Sequence, residues 1–169
     1  MEDGFKLEQV AIRLVPEAAV RDTDPIRSPE RAVEVLGKYI RDMDREAVCV
    51  VNFNTRLQPI NFQIVSIGTL DQALCEPREL LKAGILSNAS SMMILHNHPA
   101  GSIAPSGSDV QMMERMEKVC DLVGIPLMDG IIVGFGREDY FSFREAAILE
   151  QKRNQADRAA EEKGGRGGR

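Results

Sequence analysis

No stretch of the 169-residue chain approaches the roughly 18 consecutive apolar residues that a bilayer-spanning helix needs, so no membrane partner is expected. The opening Met1-Glu2-Asp3-Gly4 is acidic and lacks the basic-then-apolar layout of a secretion leader, which leads to an expected cytoplasmic location. Cysteine is scarce. Cys49, Cys75 and Cys120 are far apart, odd in number and form no C-x-x-C pair, which argues against a disulfide scaffold or a thiolate zinc site. Reduced thiols filling small core positions are expected instead. An excess of basic charge is also missing: the net charge is −5, unsuited to a protein built mainly to hold nucleic acid. Only residues 151–169 run the other way, with six Lys/Arg against three Asp/Glu, a net +3 that leaves −8 on the body. Apart from three alanines, apolar residues vanish there and the end reads Gly-Gly-Arg-Gly-Gly-Arg, so a disordered, solvated tail is expected, with contact to an anionic partner as the alternative. Internal repeats are absent.

What is present suits one globular domain: 43% hydrophobic and 28% charged residues on a chain long enough for a sizeable core. The expected divisions are an N-terminal extension over 1–27, a domain over 28–150 and the tail over 151–169. Alternation over 10–15 predicts a short strand before Pro16. Ser28-Pro29-Glu30 carries a hydroxyl cap, a proline and an acid in the order of a helix start, and Val33, Leu36, Gly37 and Ile40 extend it over 29–43. The β-branched run 47–53 reads as an interior strand and 59–67 as its antiparallel neighbour. Further elements are a helix from Pro77 to near Asn88, a buried strand over 91–95 and a helix from Ser106 to Gly124. Strands over 125–133 and 139–143 and a short helix from Arg144 complete them. Interleaved strands and helices, some strands hairpin-paired, predict an α/β (α+β) domain with a mixed β-sheet flanked by helices.

Both histidines of the chain stand in His96-Asn97-His98, where the buried strand meets a loop. On an extended backbone alternate residues face the same side, so both imidazoles can converge on one point. Asp109 follows eleven residues after His98, in the first turn of a helix, and the loop between contains Gly101 and Pro105. Two histidines, a carboxylate and one open position make the catalytic type of zinc site, and imidazoles without thiolates favour zinc over harder or softer ions. Locally, Ser106-Gly107-Ser108-Asp109 reads more readily as a capping box, whose side chains only satisfy orphan backbone N–H groups. The histidines in turn read equally as a hydrogen-bonded turn.

The complete pattern is His96-x-His98, seven residues, then Ser106-x-x-Asp109, and it resembles the JAMM (JAB1/MPN-type) metalloprotease motif. The string His96-Asn97-His98-Pro99-Ala100-Gly101 followed by Pro105-Ser106 is similar to the RadC-like branch, the DNA repair protein RadC family. The likeness extends from about Ser28 to Leu149 through Arg45-Glu46, Pro77-Arg78-Glu79, Ile131-Ile132-Val133-Gly134 and Tyr140-Phe141-Ser142-Phe143. The resemblance implies a JAB/MPN (cytidine-deaminase-like) fold with one Zn2+ held by His96, His98 and Asp109, and water as fourth ligand. It further implies Glu46 as general base and Ser106 as oxyanion stabiliser. Local sequence does not select Glu46, since Asp71, Glu76 and Glu79 are equally plausible unaided. Two departures stand out: Ala100 where the branch usually has serine, and Asp129-Gly130 where it usually has histidine after the aspartate. Asp129 reads as a structural or second-layer acid.

The implied activity is hydrolysis of a peptide or isopeptide bond by zinc-activated water. Two rivals stand beside it. One is a DNA-repair or DNA-processing role, implied by the branch's name. The other is a non-catalytic protein-interaction module on the same fold.

Overall fold

The computed structural model describes residues 11, 13–17, 24–68, 75–136, 138–147 and 149–150. Ser28, in extended conformation, accepts the Arg31 N–H on its hydroxyl and opens α1 (Pro29–Leu36). The helix is shorter than its apolar spacing suggests. At Gly37 it tightens into a 3-10 turn, Gly37–Tyr39, whose glycine carbonyl accepts from both Ile40 and Arg41 N–H groups. Glycine is a weak helix former, and the tighter turn closes there.

Five strands are described: β1 (Ala47–Phe53), β2 (Pro59–Ile67), β3 (Ser91–His98), β4 (Leu127–Gly134) and β5 (Tyr140–Ser142). They form one sheet in the order β2-β1-β3-β4-β5. β1 runs antiparallel to both β2 and β3, β3 parallel to β4, and β4 antiparallel to β5. The sheet is therefore mixed, as the interleaving of elements predicts. α2 (Pro77–Leu86) and α3 (Gly107–Val123) pack on one face and α1 on the other.

The two faces sort the strand residues by parity, as a pleated backbone demands. Ala47, Cys49, Val51, Phe53, Met93 and Leu95 meet α1, whereas Val48, Val50, Met92 and Ile94 meet α2 and α3. With both faces covered, every residue of β1 is buried, which explains its near-continuous apolar run. The edge strand β2 is instead exposed at both ends, and α3 stops at Gly124, whose φ of 72° is the left-handed cap glycine adopts freely. Gly84 in α2 allows close approach: a Cβ there would lie 2.8 Å from the buried Asn52 Oδ1.

β4 starts later than its apolar run suggests, because Pro126 has no N–H to give the ladder, although its carbonyl accepts from Met92 N–H. The alternating stretch 10–15 lies partly outside the described residues. Those of it that are described, Ala11 and Arg13 to Val15, form no strand and lie exposed. Residues 151–169 also lie outside the described residues. Among the described residues no helix is long and apolar enough to cross a membrane. Cys49 and Cys120 are buried and Cys75 half-buried; burial pushes the Cys49 thiol up to about 12, in keeping with inert core sulfurs.

Asp129 is buried. It accepts from Ser142 Oγ at 2.6 Å and from Arg144 N–H at 3.1 Å, tying β4 to β5 and to the helical turn that begins at Phe143. It acts structurally, as one sequence reading held. Asp129→Ala is expected to lower the unfolding free energy by about 1–3 kcal/mol in urea titrations, through the two donors left unmet. Burial raises the carboxyl above its ordinary range, outweighing the hydrogen bonds that lower it. A raised folded value means that its contribution is present below the unfolded range and lost as pH rises through the folded one. Asp129→Asn should flatten that part of the stability–pH curve.

Candidate metal centre

β3 delivers the two imidazoles. His96 and His98 alternate with Asn97, so both rings leave the face covered by α3, with centroids 5.0 Å apart and planes tilted 57°. Immediately after His98 the chain turns: Gly101 N–H donates to the His98 carbonyl at 2.9 Å, and Gly101 takes a φ of 80°. The chain then returns to the strand end as the start of α3.

Ser106 caps that helix, and Asp109 completes a capping box with it. Ser106 Oγ accepts the Asp109 N–H at 3.2 Å, while Asp109 Oδ2 accepts from Ser106 N–H and Ser106 Oγ, each at 2.7 Å. The same carboxylate reaches the histidines. Oδ1 lies 3.2 Å from His96 Nε2 and Oδ2 lies 3.5 Å from His98 Nε2. The local sequence poses capping and ligation as rivals, yet one side chain occupies both positions. The box sets the rotamer that presents the acid to the imidazoles.

One ligand atom from each of His96, His98 and Asp109 falls within a group spanning at most 4.8 Å, so the three could hold a metal ion. Two observations fit that reading. His96 Nε2 is buried beside the carboxylate yet makes no hydrogen bond, a costly state for a polar atom unless something else meets it. His98 Nδ1 sits 2.7 Å from the Ser102 carbonyl, which can only accept; Nδ1 therefore carries the proton, and in the neutral ring Nε2 keeps its lone pair. The His96 side chain is 5% exposed, His98 12% and Asp109 16%, so solvent reaches the group from the His98 and Asp109 side.

Charges here are strongly coupled. Burial alone would raise the Asp109 carboxyl, but the two imidazoles and the Ser106 hydroxyl hold it far below the ordinary range. His98 is raised, chiefly by Asp109, against the opposing effect of burial and with help from the Ser102 carbonyl and the Glu46 charge. Glu46 itself precedes β1. Val48 pairs with His96 in antiparallel register, and Val48 faces α3, so alternation places Glu46 on that same face, near His98. Glu46 is half-buried and its carbonyl accepts from Gly68 N–H at 2.8 Å.

Two side-chain positions depart from the expected family pattern. Ala100 is exposed in the turn after His98. At Gly130 the space is taken: a Cβ there would lie 2.2 Å from Met113 Cε and 2.5 Å from Met113 Sδ. Met113 thus fills the volume above β4 that a histidine would need. Sequence reasoning did not find Asn97 or the Ser102 carbonyl as supporting groups. Asn97 was visible inside the His-x-His string, whereas a backbone carbonyl leaves no trace in residue identity.

A mixed sheet with helices on both faces, and a His-x-His strand end meeting a Ser-x-x-Asp helix start, define a JAB-type domain. The sequence profile of the RadC-like JAB domain matches residues 26–148. Curated relatives are UPF0758 proteins. That of Chlorobaculum parvum is 36% identical over 124 residues, covering 73% of this chain and 55% of the relative. That of Desulforamulus reducens is 38% identical over 109 residues, covering 64% and 48%. That of Actinobacillus pleuropneumoniae is 36% identical over 132 residues, covering 78% and 58%. The chain belongs to the RadC-like JAB domain family, within the JAMM superfamily. It spans about half the length of the curated relatives it matches.

The packing at Gly130 is directly testable. Gly130→His should destabilise the domain by about 1–3 kcal/mol through overpacking, and combining it with Met113→Ala should recover part of that loss. Urea unfolding of the two single variants and the double variant measures the coupling. Additive losses would show that Met113 is not what occupies the space.

Proposed function

We propose that the chain is a zinc-dependent hydrolase of peptide or isopeptide bonds, with a peptide or an isopeptide-linked protein as substrate. The observation that supports it most is the convergence of His96, His98 and Asp109 around a buried Nε2 that has no hydrogen bond, on a side open to solvent. His96, His98 and Asp109 would hold the ion. Three protein ligands of this kind suit the open, catalytic class of site, and imidazole with carboxylate but no thiolate suits zinc. When bound, zinc supplies Lewis-acid chemistry: it makes water ionisable near neutral pH and polarises the scissile carbonyl.

The chain's own groups supply the rest. Glu46, on the His98 side of the sheet, takes the attacking water's proton on a carboxylate oxygen and hands it to the departing amine nitrogen. Ser106 Oγ donates to the carbonyl oxygen as charge develops there. For that its hydroxyl swings from Asp109 Oδ2, which keeps the Ser106 N–H as partner. Ser102 holds His98 in the tautomer that leaves Nε2 free to ligate. A nucleic-acid role draws no support from a net charge of −5.

Purified protein should carry about one zinc per chain, and His98→Ala should lose it, both read by elemental analysis. Glu46→Gln should keep the metal yet lower peptide hydrolysis by about 100- to 10,000-fold, the usual range for removal of a general base. Full activity in Glu46→Gln would refute the base assignment. Zinc-free wild type would refute the metal site.

A further inference from the structure

Asn97 is the member of the His96-Asn97-His98 string whose side chain leaves the opposite face of β3. It is completely buried, and the hydrogen bonds of its side-chain amide go to one short segment. Its Oδ1 accepts the Ala47 N–H at 2.7 Å, and its Nδ2 donates to the Arg45 carbonyl at 3.1 Å and the Met43 carbonyl at 3.3 Å. These backbone groups bracket Glu46. The paired register of β1 with β3 ends at Val48 and His96, so beyond it the Asn97 amide, a side chain, joins the strand to the approaching chain.

We infer that Asn97 is a positioning residue for Glu46: its amide grips residues 43, 45 and 47 and so keeps the Glu46 carboxylate on the face of the sheet that carries His96 and His98. The inference rests on Glu46 acting as the base, as proposed above. The geometry argues for more than core filling. An apolar side chain would fill the volume equally well, whereas an amide with one acceptor and two donor contacts to three different residues fixes rotation as well as distance. Just past the end of β2, Gly68 N–H holds the Glu46 carbonyl at 2.8 Å, so the segment is fastened on both flanks. His96 and His98 on one side of β3 and Asn97 on the other thus serve the same centre. Two present ligands, and the middle one sets where the base stands.

The test compares Asn97→Ala and Asn97→Asp with wild type and Glu46→Gln. Asn97→Asp keeps the size and the acceptor toward Ala47 but turns a charged oxygen on two carbonyls, so it serves if the alanine variant does not fold. Both variants should retain about one zinc per chain, because neither histidine is disturbed. Amide exchange should speed by about tenfold or more at Glu46 in both variants and at Ala47 in Asn97→Ala, which alone removes its acceptor, while Val50 and Val51 stay unchanged. For peptide hydrolysis, kcat should fall about 10- to 100-fold at unchanged KM, and adding Asn97→Ala to Glu46→Gln should cost nothing further. Unchanged exchange at Glu46 and Ala47, exchange that speeds uniformly along β1, or losses that multiply with Glu46→Gln would each overturn the inference. Wild type that holds zinc but cleaves no peptide bond would sink the hydrolase reading instead. The exchange pattern would then judge Asn97 alone.

Discussion

The Asp109 carboxylate is where strand and helix are joined. Through Oδ2 it closes the first turn of α3 on Ser106, and through both oxygens it faces the imidazoles at the end of β3. The site needs the helix start at one place and one angle, and the capping box supplies both. The left-handed turn at Gly101 returns the chain within the short loop that separates strand from helix. Ser102, in the same loop, aims His98 through a carbonyl. The loop therefore shapes the centre with backbone groups while the regular elements supply the side chains.

The sheet explains what could be read from residue order. The run 47–53 is apolar at every position but Asn52 because both faces of β1 are covered, and the histidine pair is conspicuous because a strand repeats every two residues. Period and turn chemistry are local, so these features were legible. Glu46 was not, because its nearness to His98 arises from antiparallel register between segments some fifty positions apart. Only the family likeness selected it over Asp71, Glu76 and Glu79. Asp109 was undecidable locally for another reason: capping and ligation ask for the same residue at the same spot. Asn97 sat in plain view, but its partners are main-chain groups, which no composition reveals.

Element ends were less legible than element centres. α1 tightens at Gly37 and β4 waits for Pro126 to pass, both through backbone properties that outweigh apolar spacing. Gly130 shows a different limit. Read along the chain it is a missing side chain, but in the fold its volume belongs to Met113, one helical turn beyond Asp109. Where the resemblance leads one to expect a histidine, a methionine from α3 occupies the space. The volume over β4 stays filled.

Sharing one carboxylate between a helix cap and a ligand set has a thermodynamic consequence. Any ion held by His96, His98 and Asp109 would favour the conformation in which α3 begins at Ser106, so loading and local order become linked equilibria. By mass action, a ligand at a hundred times its dissociation constant adds about 2.7 kcal/mol to the folded state. In this domain that gain would be concentrated where the helix starts. Removing such an ion would thus loosen the same turn that aims the acid, and recovery of order and rebinding of the ion would proceed together.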